Sequence, residues 1–117
     1  MAPDTMPGEQ LKPEYMFGKW CTNRDLTAQT NKDAGLSAIS NITRQFWNLR
    51  ETGTWQISET GWMYSNNGTW QLEGLNTLSL NKPPADPVRY QANFKNEGQD
   101  LYLEDKNQKF LVLTRCD

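Results

Sequence analysis

The stretch "MFGKWCTNR", Met16 to Arg24, and its distant echo "LTRCD", Leu113 to Asp117, carry the two cysteines of this chain. Cys21 follows a Gly-x-Trp near the start, and Cys116 is second from the end. Both fall at the ends of predicted strands. Two unrelated buried thiols are one account of them. Their matched placement beside similar neighbours favours a disulfide. Closing nearly the whole chain into one loop stabilises by about 4–5 kcal/mol in the chain-entropy account. A disulfide implies an oxidising compartment: periplasm, cell surface or secreted.

Working outward from Cys21, the segment Met1 to Pro13 reads as an extended arm, with three prolines and little to bury. A domain is expected from Glu14 to Asp117. Tyr15, Phe17 and Lys19 alternate with Met16, Gly18 and Trp20, as in a first strand. From Thr22 to Asn41 the pattern fades. A short helix around Leu36 to Ser40 and a lid-like loop both fit there.

Beyond Asn41 the signals are β. "ITRQFWNLRE" is aromatic and alternating, and "TWQIS" follows Thr52-Gly53. "WMYS" leads to Asn66-Asn67-Gly68, a pattern that predicts a hairpin turn. In "TWQLEG", Trp70 and Leu72 share one face. "KPPADP" interrupts the ladder, because proline donates no backbone hydrogen bond. Val88, Tyr90, Ala92 and Phe94 share a face of the next strand. "NEGQ" and "DKNQ" read as turns, and "KFLVLTRC" is the last strand. Gly53-Thr54-Trp55-Gln56-Ile57 echoes Gly68-Thr69-Trp70-Gln71-Leu72, read as two strands leaving similar turns. About eight closely spaced strands suggest an all-β antiparallel meander, and closure into an up-and-down β-barrel removes its edges.

Composition narrows the class further. At 117 residues the chain fits one domain. Apolar residues make up 36%, so the five Trp, four Tyr and four Phe must supply much of the core. A net charge of −2 gives no strong field toward nucleic acid or an anionic membrane. No apolar run is long enough for a membrane-spanning helix. The first ten residues are polar and proline-rich, so an exported form needs a leader outside this sequence, with Met1 then an added start.

The Gly18-Lys19-Trp20 first strand, the meander, the Gly-Thr-Trp entries at 53–55 and 68–70 and the final Arg115-Cys116 resemble the lipocalin (calycin) group. The likeness is to its small bacterial lipocalin-like β-barrel domains, over Tyr15 to Cys116. It departs from the pattern in its short length and in lacking a Thr-Asp-Tyr turn. The resemblance implies that Trp20 closes the base of the barrel and that Arg115 lies across it. Strand alternation agrees. If Cys21 and Cys116 are bonded on one face, Trp20 and Arg115 share the other, as diagonal neighbours within contact range.

Chemistry-bearing residues are sparse. The absence of histidine removes the commonest general base and the usual triads. Two cysteines without CxxC make no structural zinc site unaided. No phosphate-binding glycine loop or EF-hand appears. Asn96 to Asp100 and Glu104 to Gln108 lack calcium-ligand spacing and read as turns. No enzyme activity, metal or cofactor is expected. Trp47, Trp55, Trp62, Tyr64 and Trp70 are not interleaved with basic residues, so they read as core and not as a nucleic-acid platform. The Asn41-Ile-Thr43 and Asn67-Gly-Thr69 sequons carry no weight if the source is bacterial.

Two functions follow as expectations. One is a cell-envelope binding module, periplasmic or lipoprotein, holding a small apolar ligand among Phe46, Trp55, Trp62, Trp70, Tyr90 and Phe94. So many rings in so short a chain favour a mostly filled interior. The other is a protein–protein interaction module, such as a periplasmic protease inhibitor acting through its N-terminal arm. A membrane contact is expected only through a lipid anchor outside this sequence.

Overall fold

The computed structural model describes residues 9–35, 44–59 and 65–116. A 3-10 turn, Pro13–Tyr15, leads into β1 (Gly18–Thr22), and helix α1 (Arg24–Asp33) follows. Then come β2 (Gln45–Leu49), β3 (Thr54–Glu59), β4 (Ser65–Glu73), β5 (Thr77–Asn81), β6 (Val88–Lys95), β7 (Asp100–Glu104) and β8 (Phe110–Arg115). Each strand pairs antiparallel with the next, and β8 returns to β1, giving a closed eight-stranded up-and-down barrel. Alternation sets what points inward. Trp20, Trp47, Leu49, Trp55, Trp70, Leu78, Ala92, Phe94, Leu101, Leu103 and Leu113 form the core, each at most 7% exposed.

Two expected features move. Strand character begins at Gly18, not near Glu14, because the preceding carbonyls turn inward to bonds described below. The core also reaches back past Pro13, since Leu11 is 2% exposed and its N–H bonds the Leu75 carbonyl at 2.8 Å.

Asn66-Asn67-Gly68 is not a turn. It lies within β4, paired with Ile57, Gln56 and Trp55 of β3. Gly68 is required by contact and not by a left-handed backbone. A Cβ there meets the Asn81 carbonyl at 2.0 Å and the Trp55 indole nitrogen at 2.8 Å. The Gly-Thr-Trp echo follows from this. Thr54 faces Thr69, so Trp55 crosses Gly68, while Gly53 accepts the Trp70 N–H at 2.9 Å. The two copies are partners across one antiparallel ladder, related by its local two-fold, and do not start from similar turns.

The faded region contains α1, earlier than the helix or loop expected around Leu36 to Ser40. That segment, residues 1–8 of the arm, Trp62, Tyr64 and the Asn41 sequon lie outside the described residues. Asn23 caps α1, its side chain accepting the Leu26 N–H at 3.0 Å. The buried face of α1 is polar, Thr27 and Asn31, which explains its weak hydrophobic signal.

That polar face has a definite task. β1 pairs with β8 through only three residues, Trp20–Arg115, Cys21–Thr114 and Thr22–Leu113. On that side the earlier half of β8 is left with ladder groups and no strand beside it. The Asn23 N–H bonds the Val112 carbonyl at 2.8 Å, and the Thr27 hydroxyl accepts the Val112 N–H at 2.9 Å. The Asn31 amide pairs with both backbone groups of Phe110, accepting its N–H at 2.8 Å and donating to its carbonyl at 3.0 Å. Four helical residues rise about 6.0 Å, close to the ~6.6 Å spanned by two strand residues. Thr27 and Asn31 thus continue the ladder from a helix. Replacing Asn31 by Ala strands both groups of Phe110 and is expected to cost about 2–4 kcal/mol in urea unfolding. Fast exchange of the Phe110 amide should accompany it, whereas Asn31→Asp should keep that amide slow.

Candidate functional site

The closed end of the barrel is built around Arg115. Its guanidinium carbon sits 4.0 Å from the centroid of the Trp20 ring. Its Nη2 donates to the Tyr15 carbonyl at 2.8 Å and its Nη1 to the Phe17 carbonyl. The Trp20 indole N–H donates to the carbonyl between them, Met16, at 3.0 Å. Three consecutive carbonyls are therefore turned onto one cation–indole pair. Trp20 and Arg115 are direct cross-strand partners and not diagonal ones. The cysteines take the diagonal instead. Cys21 and Cys116 are bonded, with Cα atoms 5.7 Å apart, on the opposite face.

Gly18 belongs to the same device. Its φ is +123°, and a Cβ on it meets Arg115 Nη1 at 2.5 Å. The glycine of the Gly-x-Trp motif thus makes room for the arginine at the other end of the chain.

Above this floor, rings cross the lumen. Trp20 meets Phe94 at 6.0 Å between centroids, and Trp47 meets Tyr90 at 6.3 Å. Tyr15 stands edge-on to Phe94, and Phe17 edge-on to Trp70. Each described tryptophan has a hydrogen-bonded indole N–H. Trp47 donates to Gln45, Trp55 to the Asn81 carbonyl and Trp70 to the Arg50 carbonyl. Burial at the other end is uneven, with Leu103 fully enclosed beside less covered neighbours. Ile57, Tyr90 and Leu111 are only half-buried, although they point inward. Burial there, reinforced by the Asp105 carboxylate, holds the Tyr90 phenol above its ordinary pKa.

The candidate residues therefore separate. Trp55, Trp70 and Phe94 are core, Phe94 with no exposed surface and the two indoles nearly enclosed. Tyr90 lines the less buried end. Phe46 points outward and is 40% exposed, because it pairs with Cys21 on the outer face. Trp47, read earlier only as core, turns out to be the ring that meets Tyr90. The carbonyl triplet at Tyr15 to Phe17 carried no side-chain signal that could have revealed it.

The outer wall holds a depression of about 400 Å³ across β1, β2 and β3. Two outward rows line it. One is Lys19, Asn48 and Gln56, and the other is Cys21, Phe46 and Ser58. The exposed Cys116 stands at its edge. Among the described residues no group of acidic, cysteine or histidine side chains could hold a metal ion.

Replacing Gly18 by Ala is expected to destabilise by about 2–4 kcal/mol through strained φ and collision with the guanidinium. In an Arg115→Ala background only the φ cost, about 1–2 kcal/mol, should remain. A double-mutant cycle by chemical denaturation checks this.

The structure is thus a closed eight-stranded antiparallel barrel, with a cation–indole floor, a less buried rim and a mixed-polarity outer groove. No family model, curated protein or solved structure matches the chain.

Proposed function

We propose that the protein is an exported, non-enzymatic lipocalin-like module that binds a small apolar ligand at the open rim of its barrel. The observation that carries this reading is the incomplete burial of inward-facing side chains at the rim. Trp20, Phe94, Leu49 and Leu101 at the base are fully enclosed, whereas the inward-facing Ile57, Tyr90 and Leu111 keep exposed apolar surface. Such surface is stabilised by covering it, at roughly 25 cal/mol per Å². With Trp47 and Tyr90 in contact across the lumen, the ligand sits above them and not deep inside. The disulfide fits an oxidising compartment, hence a periplasmic, cell-surface or secreted setting. The lack of histidine is the reason for reading the chain as non-enzymatic.

Titration with the neutral fluorophore N-phenyl-1-naphthylamine should give a saturable rise in emission. Ile57→Gln should weaken it at least about tenfold while leaving the thermal midpoint near that of the parent. A folded protein with no saturable signal, and no bound species in native mass spectra, overturns the reading.

A second reading has its own observation. The root of the N-terminal arm is pinned to the β4–β5 turn. Leu11 is buried, and the Gln10 amide donates to the Leu75 carbonyl at 3.3 Å. Leu75 itself is 53% exposed beside this anchor. An arm held at its root is suited to insertion into a partner such as an exported protease, because less freedom is lost on binding. Deleting residues 1–8 should keep the thermal midpoint and abolish inhibition in a panel of secreted bacterial proteases. Inhibition unchanged by that deletion reduces the arm to a tether. Deletion through Pro13 is not an equivalent test, since it also removes Leu11 from the core.

A further inference from the structure

We propose that the depression on the outer wall of β1, β2 and β3 is a binding site for a short saccharide, separate from the rim. Its volume, about 400 Å³, is at the small end of the range for ligand pockets. That suits one or two sugar rings. The chemistry of the lining is what selects the class.

Phe46 presents a flat ring to solvent, 40% exposed, although the strand offers it no apolar neighbour across the pair. Its cross-strand partners are Cys21 and Ser58. A large ring standing among polar side chains is a stacking surface for a ligand with one apolar face. Around it stand Lys19, Asn48 and Ser58, whose side chains form no hydrogen bond with any described residue. The amide and the hydroxyl each donate and accept, and the ammonium donates. Gln56 lines the same wall, its Oε1 accepting from Arg50.

This combination fits few ligands. A sugar ring has one face of C–H groups for stacking and hydroxyls that both donate and accept. A purely apolar ligand leaves the amide and hydroxyl of Asn48 and Ser58 desolvated without partners, which is costly. A nucleotide phosphate calls for several cations or a charged fork, and Lys19 is the one cation among the described residues lining the depression. A metal ion finds no carboxylate among the described residues lining it. The Cys21–Cys116 bond, at the edge of the groove, ties β1 to the end of β8 and keeps that wall in place.

The test is a ¹H–¹⁵N titration of the intact, oxidised protein with N-acetylglucosamine, its β-1,4 dimer, cellobiose and galacturonate, and with adenosine monophosphate as the contrasting probe. Saturable shifts confined to Lys19, Phe46, Asn48 and Ser58 with at least one saccharide support the proposal. Phe46→Ala should weaken that binding at least about tenfold, and Asn48→Ala by a smaller factor. Ile57→Gln should leave it unchanged, which separates this site from the rim. If Phe46→Ala fails to fold, Ser58→Ala with Asn48→Ala provides the same readout. No shift with any saccharide overturns the proposal, as do shifts confined to the rim. So do shifts of these four residues with adenosine monophosphate alone.

Discussion

A guanidinium lying on an indole at the floor of the barrel is the constraint from which the surrounding structure follows. The pair itself is worth about 0.5–2 kcal/mol. Its demands reach further than its energy. A cation withdrawn from water needs acceptors, and an arginine brings several donors to satisfy. Tyr15 and Phe17 supply carbonyls to Arg115, while Met16 supplies one to Trp20. A regular strand cannot aim three consecutive carbonyls at one spot, so the chain tightens into a 3-10 turn before β1 begins. Gly18 then leaves space for Nη1. Leu11 and Met16 are drawn under the floor as a consequence, both at most 2% exposed.

Much of this was legible in the sequence, and the reason is the period of two in strands. Val88, Tyr90, Ala92 and Phe94 alternate cleanly, and they do share a face. Trp20 and Arg115 one residue before each cysteine placed them on the face opposite the disulfide. What failed did so where one residue type serves two physical ends. Asn-Gly signals a turn because glycine tolerates positive φ, yet Gly68 is there because an indole lies across it. Phe46 looked like a core aromatic, yet its register with Cys21 turns it outward. Helix α1 was hidden because it buries threonine and asparagine. The diagonal geometry predicted for Trp20 and Arg115 belongs to the cysteines instead, since β8 ends at Arg115 and Cys116 reaches sideways.

The barrel separates its inner and outer faces chemically. Inside, rings meet across the lumen, so aromatic area holds opposite walls together as well as filling space. Outside, amides and hydroxyls line β1 to β3 with one exposed ring among them. The apolar rim and the polar groove are thus two surfaces of different character on one small scaffold. Neither requires the other to change shape. The stiffness of both comes from the same source, the tight closure between the first strand and the last.

That closure also sets an order of events. The floor needs Trp20 and Arg115 together, and the disulfide links residues 95 positions apart in the chain. During synthesis Trp20 emerges well before Arg115, its cross-strand partner. Until then the 3-10 turn has no cation to bind and β1 has only β2 beside it. The ring therefore cannot close before β8 has been made, and that strand acts as the latch that converts a linear meander into a ring.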